Sequence, residues 1–155
     1  MFSGVALALS GIPKVAMDLH GLGRRVHSRG GEPEVQFLLR DCERVLPVWL
    51  DGEFQVVRWG NRRGQSPGLP CTAWTSLETM ESGGWVRHEP REVLIPASLG
   101  LDRGVWYSVR EGVRGVVVRD EEGSPVAYVL VEPSTHYYQV MTRSEWMPSL
   151  VRELI

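Results

Sequence analysis

The stretch Val45-Leu-Pro-Val-Trp-Leu50-Asp51-Gly52-Glu53-Phe-Gln-Val-Val57 decides how the chain is read. Two apolar runs flank Asp51-Gly52. Asp-Gly between such runs is the strongest short hairpin signal, because a tight two-residue turn needs positive φ at both central positions. The second run delivers Arg58-Trp59-Gly60 into a segment rich in Gly, Pro and Arg. That segment carries Asn61, Arg62 and Arg63, then Trp74, then Glu78 and Thr79.

Downstream, Thr75 to Ser82 reads as a short helix capped by Thr75 or Ser76 and stopped by Gly83-Gly84. Glu92 to Ala97 reads as a strand ending at Pro96, and Gly104 to Val109 as another. Val113 to Arg119 and Val126 to Glu132 form a second hairpin around Glu121 to Pro125. Tyr137 to Met141 reads as a further strand, and Met147 to Ile155 is apolar enough to be tied into the body.

Upstream, residues 2 to 9 read as a buried strand. The apolar run is too short and lacks the basic start of a signal peptide. Ser10 is placed to cap a helix over Ile12 to Leu19, with Pro13 in its first turn and Val15, Ala16, Leu19 and Leu22 on one apolar face. Arg24 to Pro33 reads as a basic, mobile loop, and Val35 to Arg40 fits a strand or a helical turn equally. Many short strands with one or two small helices define an α+β fold with a β-dominated core. At 155 residues the chain is one domain, 1 to 155.

The net charge of −2 gives no bulk attraction to nucleic acid or anionic lipid, so any such binding needs a local patch. Lys14 is the single lysine among 17 basic residues; the others are arginines, which can make planar two-pronged contacts. Cys42 and Cys71 match no metal or disulfide spacing, which fits a reducing cytoplasm. His20, His27, His88 and His136 show no ligand spacing either. No cofactor is implied, and no stretch reaches the length of a membrane span.

The chemistry worth testing lies after the first hairpin. Arg58, Arg62 and Arg63 are placed to bind phosphates through paired N–H donors. Trp59 and Trp74 are placed to stack on bases, each worth about 1–3 kcal/mol. Asn61 and Glu78 belong to the same expected DNA-binding surface. The plainer alternative is that both tryptophans fill the core and the arginines are solvated. Cys71 beside Arg62 or Arg63, and Asp102, are the weaker candidates for an enzyme.

The order of landmarks resembles the SOS-response-associated peptidase (SRAP) family. Trp59-Gly60 follows a strand; Trp74-Thr-Ser-Leu-Glu-Thr79 resembles the family's N-A-R-x-E-T motif; Arg91-Glu-Val-Leu-Ile-Pro-Ala97 resembles its Pro-Ala strand end; Ser144-Glu-Trp-Met-Pro148 resembles its terminal R-M-P motif. The resemblance implies an irregular, β-rich fold that binds single-stranded or damaged DNA. In the family an N-terminal cysteine crosslinks to abasic sites. Here Phe2 replaces that cysteine, Trp74 stands at the motif asparagine, Ser76 at the motif arginine, Ser144 at the histidine and Trp146 at the arginine of R-M-P. Counting from the Pro-Ala strand end, the family's catalytic glutamate falls at Asp102. The expectation is therefore noncovalent DNA binding on a SRAP-like fold. The alternative is a protein-interaction module, encoded by a phage or mobile element, on the same fold. Trp, Tyr and Arg are also the residues enriched at protein interfaces.

Overall fold

The computed structural model describes residues 1–151. In chain order the elements are β1 (Phe2–Ala8), α1 (Lys14–Leu19), β2 (Val26–His27), β3 (Glu34–Leu38), β4 (Val45–Leu50), β5 (Glu53–Trp59), β6 (Trp74–Ser76) and α2 (Leu77–Glu81). They continue with β7 (Arg91–Ile95), β8 (Leu99–Asp102), β9 (Val105–Ser108), β10 (Val113–Arg119), β11 (Pro125–Pro133), α3 (His136–Thr142) and β12 (Trp146–Pro148). The fold is α+β and β-dominated, as expected.

The strands form two sheets. One runs β2-β3-β1-β8-β9 and is antiparallel throughout. The other runs β10-β7-β4-β5-β11-β12, and β10 also pairs with β11, so β10, β7, β4, β5 and β11 close into a small barrel. β5 and β6 both pair with β11 in parallel, and the chain between them makes the excursion from residue 60 to 73. The Asp51-Gly52 turn is as the sequence predicts. Strands β4 and β5 pair from Val45↔Arg58 to Leu50↔Glu53, and the turn residues sit at φ 54° and 76°.

β10 and β11 carry near-continuous apolar runs because both their faces are buried. Val113, Val117, Ala127, Val129 and Val131 enter the main core with Phe2, Val5, Phe37, Leu46 and Trp59. The alternate residues Val116, Val118, Val126, Tyr128 and Leu130 form a second core with Leu69 and Trp85, onto which Leu77 and Met80 of α2 pack. The 60–73 segment and α2 thus roof the outer face of the barrel.

β1 lies in the middle of its sheet, between β3 and β8, which fixes the first residues of the chain. Several expectations are corrected. Residues 137 to 141 are helical within α3, not extended. Thr135 caps the helix by accepting the Tyr138 N–H at 3.2 Å, and Tyr138 and Thr142 are buried at i, i+4 spacing while Tyr137 and Val140 face solvent. The β propensity of adjacent tyrosines is a weak preference that packing overrides. The first helix starts at Lys14 rather than Ile12, with no side-chain cap, because the Ser10 hydroxyl donates to Glu32 instead. Of the expected apolar face Ala16 and Leu22 are buried, whereas Val15 and Leu19 are exposed, so only half of it packs. The 24–33 loop begins as a 3-10 turn, Leu22–Arg25, and continues into β2. Residues 35 to 38 are strand, within β3. β8 was not expected; its Gly100 sits against Phe2 and Tyr107. Of the expected C-terminal docking, Met147 and Pro148 are in β12, and residues 152 to 155 lie outside the described residues. Among the described residues no helix is long and apolar enough to cross a membrane.

Gly60 is the tightest point between β5 and the 60–73 segment. It has φ 66°, its N–H donates to Ala127 O at 2.7 Å, and an added Cβ would lie 2.5 Å from Thr72 O and 2.7 Å from Ala73 Cα. Gly60→Ala is expected to destabilise the protein by at least about 2 kcal/mol, from φ strain plus overpacking. Urea unfolding will show this as a lower midpoint with an unchanged slope.

Candidate functional site

Two polar clusters stand out, and the first surrounds the start of β1. Phe2 pairs with Asp102 at the end of β8, which brings the Met1 amine to a carboxylate with no exposure to solvent. The amine lies 3.0 Å from Asp102 Oδ1 and donates to Ser144 Oγ at 3.1 Å. Ser144 Oγ in turn donates to Asp102 Oδ1 at 2.6 Å, and Tyr138 Oη donates to Asp102 Oδ2 at 2.7 Å. With the Tyr138 proton so committed, Tyr107 donates to Tyr138 across 2.9 Å, the two rings meeting edge to face. Trp74, at the start of β6, donates its indole N–H to Phe2 O at 2.8 Å. A buried carboxylate persists only when paired and hydrogen-bonded, and Asp102 has a cation and two hydroxyl donors.

The second cluster is the arginine segment after β5. Trp59 is fully buried, its indole N–H donating to Ala73 O at 3.0 Å and its ring 6.4 Å from that of Phe2. It presents no ring face for stacking. Asn61 is also buried: its amide donates to Ser66 O and Leu69 O and accepts from Ser66 N, so it shapes the loop from inside. Arg58 is held by Gly60 O, by Ser66 Oγ at 2.8 Å and by Asp120 at 3.6 Å. Arg62 reaches back to Asp41 O and Cys42 O at 2.8 and 3.0 Å. Arg63 and Glu78 are exposed, Glu78 in the first turn of α2, and Trp74 is half-buried.

The structure therefore brings Arg58 and Arg62 to one cavity, of about 440 Å³, and adds Arg44 to them. It draws Trp74 into the first cluster. Trp59 and Asn61 hold the loop rather than face solvent. Cys71 is exposed, with Asn61 Nδ2 at 3.9 Å as a weak contact. Among the described residues no group of His, Cys, Asp and Glu could hold a metal ion. Tyr107, Tyr138 and Arg44 were not anticipated; none belongs to a motif, and only the packing of α3 on β9 unites the two tyrosines. Compared with family models, with curated proteins and with solved structures, the chain matches none.

Burial is the largest cause of raised tyrosine pKa values in both regions. It pushes Tyr128 up to about 12 against the opposing charge of Arg58. It pushes Tyr107 and Tyr138 well above the usual range, with the Asp102 charge adding to the rise in each. Above a pH of about 10 the unfolded chain releases these protons while the folded chain keeps them, so stability falls as pH rises from there. Each such tyrosine contributes a slope of about 1.4 kcal/mol per pH unit. Urea midpoints between pH 9 and 11 should fall steeply, and Tyr107→Phe should make the fall shallower by about one proton's worth.

Proposed function

We propose that the chain is a SRAP-like domain that binds single-stranded DNA noncovalently and has lost the family's crosslinking chemistry. One observation carries this reading. Trp74, Asp102 and Ser144 align with the family's site only by motif order and counting, yet they converge on the first two residues of the chain. The contacts span 72 residues for Trp74 and 143 for Ser144. That convergence on one place supports the alignment. The arginines of the second cluster support the reading, since at a net charge of −2 any nucleic-acid contact must be local.

The missing chemistry follows from the residues. Phe2 carries no nucleophile, and its side chain is buried in the core. The Met1 amine is held in an ion pair by Asp102. Incubation with an abasic single strand is expected to give no band that survives a denaturing gel. A surviving adduct would mean that the amine or Cys71 has taken over the missing role.

Binding is tested by fluorescence anisotropy of a short single strand across a salt series. Arg62→Ala with Arg63→Ala is the informative pair. Arg58 is left intact, because its contacts to Ser66 and Asp120 hold the loop and its loss would destabilise the fold. The double variant should weaken binding and make the salt slope shallower by about 0.7 for each phosphate that is no longer neutralised. Absence of binding by the unmutated protein in low salt would remove the nucleic-acid reading.

A protein-interaction module is the second reading. Tyr137 and Val140 on α3 are 76% and 67% exposed, and Trp146 on β12 is 39% exposed. Tyr137 and Val140, at i, i+3, share one helix face. Binding through these residues would depend little on salt.

A further inference from the structure

The cavity between the start of β4 and the end of β5 holds three guanidinium groups in unequal states. Arg58 and Arg62 are anchored to loop atoms, as described above. Arg44 is not. Its carbonyl accepts the Trp59 N–H at 2.9 Å, so its backbone is fixed to β5. Among the described residues its guanidinium has no hydrogen-bond or ion-pair partner. Arg44 is half-buried as a residue, and partial burial of its guanidinium and, second, the charge of Arg62 lower its pKa from the usual guanidinium range. A partly desolvated cation facing a like charge is an incomplete electrostatic arrangement, and an anion between the two would complete it.

The charge balance limits the ligand. Glu43 lines the same cavity, and Asp120 lies 3.6 Å from Arg58. Against three guanidiniums these two carboxylates leave an excess of one positive charge. That matches the single charge of a phosphodiester better than the two of a terminal phosphate. The volume of about 440 Å³ lies within the range of small-molecule sites and accommodates a nucleotide-sized group. Arginine suits the task because its fork of donors fits two phosphate oxygens at once.

We propose that this cavity is a phosphodiester-binding site in which Arg44 makes the principal contact, seating one backbone phosphate between Arg44 and Arg62. The source of that phosphate rests on the nucleic-acid reading; the site itself rests on the cavity. Arg44→Ala should also leave thermal stability unchanged or raise it, since it removes a repulsion and no native hydrogen bond of the side chain.

The test uses two probes on the full chain. The dinucleotide TpT has one phosphodiester and no terminal phosphate, and its binding is followed through the side-chain Nε–H resonances of Arg44 and Arg62. Octathymidylate binding is followed by anisotropy in low salt. TpT should shift both resonances in the unmutated protein, and Arg44→Ala should abolish the Arg62 shift and weaken octathymidylate about tenfold. Arg44→Lys should restore part of the affinity. Arg87→Ala, an equal charge change outside the cavity, should cost less than twofold.

Equal losses for Arg44→Ala and Arg87→Ala would reduce the effect to bulk charge and overturn the proposal, as would an Arg44→Ala protein that binds both probes like its parent. If TpT moves Arg44 and Arg62 but octathymidylate does not bind, the site stands and the single-stranded DNA reading falls. If octathymidylate binds while TpT moves neither resonance, the DNA reading stands and this site falls. Should Arg44→Ala fail to fold, the TpT titration of the unmutated protein decides alone.

Discussion

β11 is buried on both faces from Val126 to Val131, and that constraint shapes the rest of the molecule. Its backbone groups must be satisfied along both edges by other strands, because an unpaired buried amide is costly. β10 and β5 both pair with it at Val126 and Ala127, and so lie on opposite edges. Further along, β6 and β12 both pair with it at Val131 and again flank it. Four strands, two of them (β5 and β6) from a distant part of the chain, are thereby fixed to one nine-residue strand. The 60–73 excursion follows from this: β5 and β6 must both run parallel to β11, so the chain between them has to leave the sheet and return further along the same edge. The arginine segment exists because two short strands share one long neighbour.

The same constraint ties the two polar clusters together. β6 begins at Trp74, whose indole N–H reaches the first strand, and β12 follows directly on Ser144 and Glu145. Pairing with β11 therefore aims both Trp74 and Ser144 at the start of β1. Asp102 arrives from the other sheet, through the pairing of β8 with β1. The cluster sits where the two sheets meet: strand pairing positions Phe2, Trp74 and Asp102 and leads in Ser144, and α3 brings Tyr138 to them.

Much of this fold is legible in the sequence and less of the site. The Asp51-Gly52 turn, the hairpin of β10 and β11, and the first strand are readable because turn chemistry and apolar runs are local. α3 reads wrongly as a strand because its buried residues, Tyr138 and Thr142, lie at helical spacing that the neighbouring Tyr137 obscures. Trp59 and Asn61 show the limit of reading chemistry from residue type. Each is a plausible binding residue, and each is buried because the loop must be held against the barrel. Arg44 escapes notice for the reverse reason: it stands at a strand start with nothing nearby in sequence to single it out. Which arginines are already paired is a tertiary fact. The pairing of Tyr107 with Tyr138 is tertiary too, since it depends on where α3 lands.

The central place of β1 has a consequence for how the protein is made. β1 can pair with β3 as soon as about 40 residues have emerged, but its other edge waits for β8, about 100 residues after Phe2. From the emergence of β3, ending at Leu38, to that of β8, ending at Asp102, the wait is about 60 residues, or about 3–12 seconds at roughly 5–20 residues per second. Over that interval the strand is apolar, ordered on one side and open on the other, which is the condition that invites wrong pairing between nascent chains. The carboxylate of Asp102 completes its set of donors later still, once Tyr138 and Ser144 have been synthesised. The polar cluster at the front of the chain is among the last parts of the molecule to be assembled.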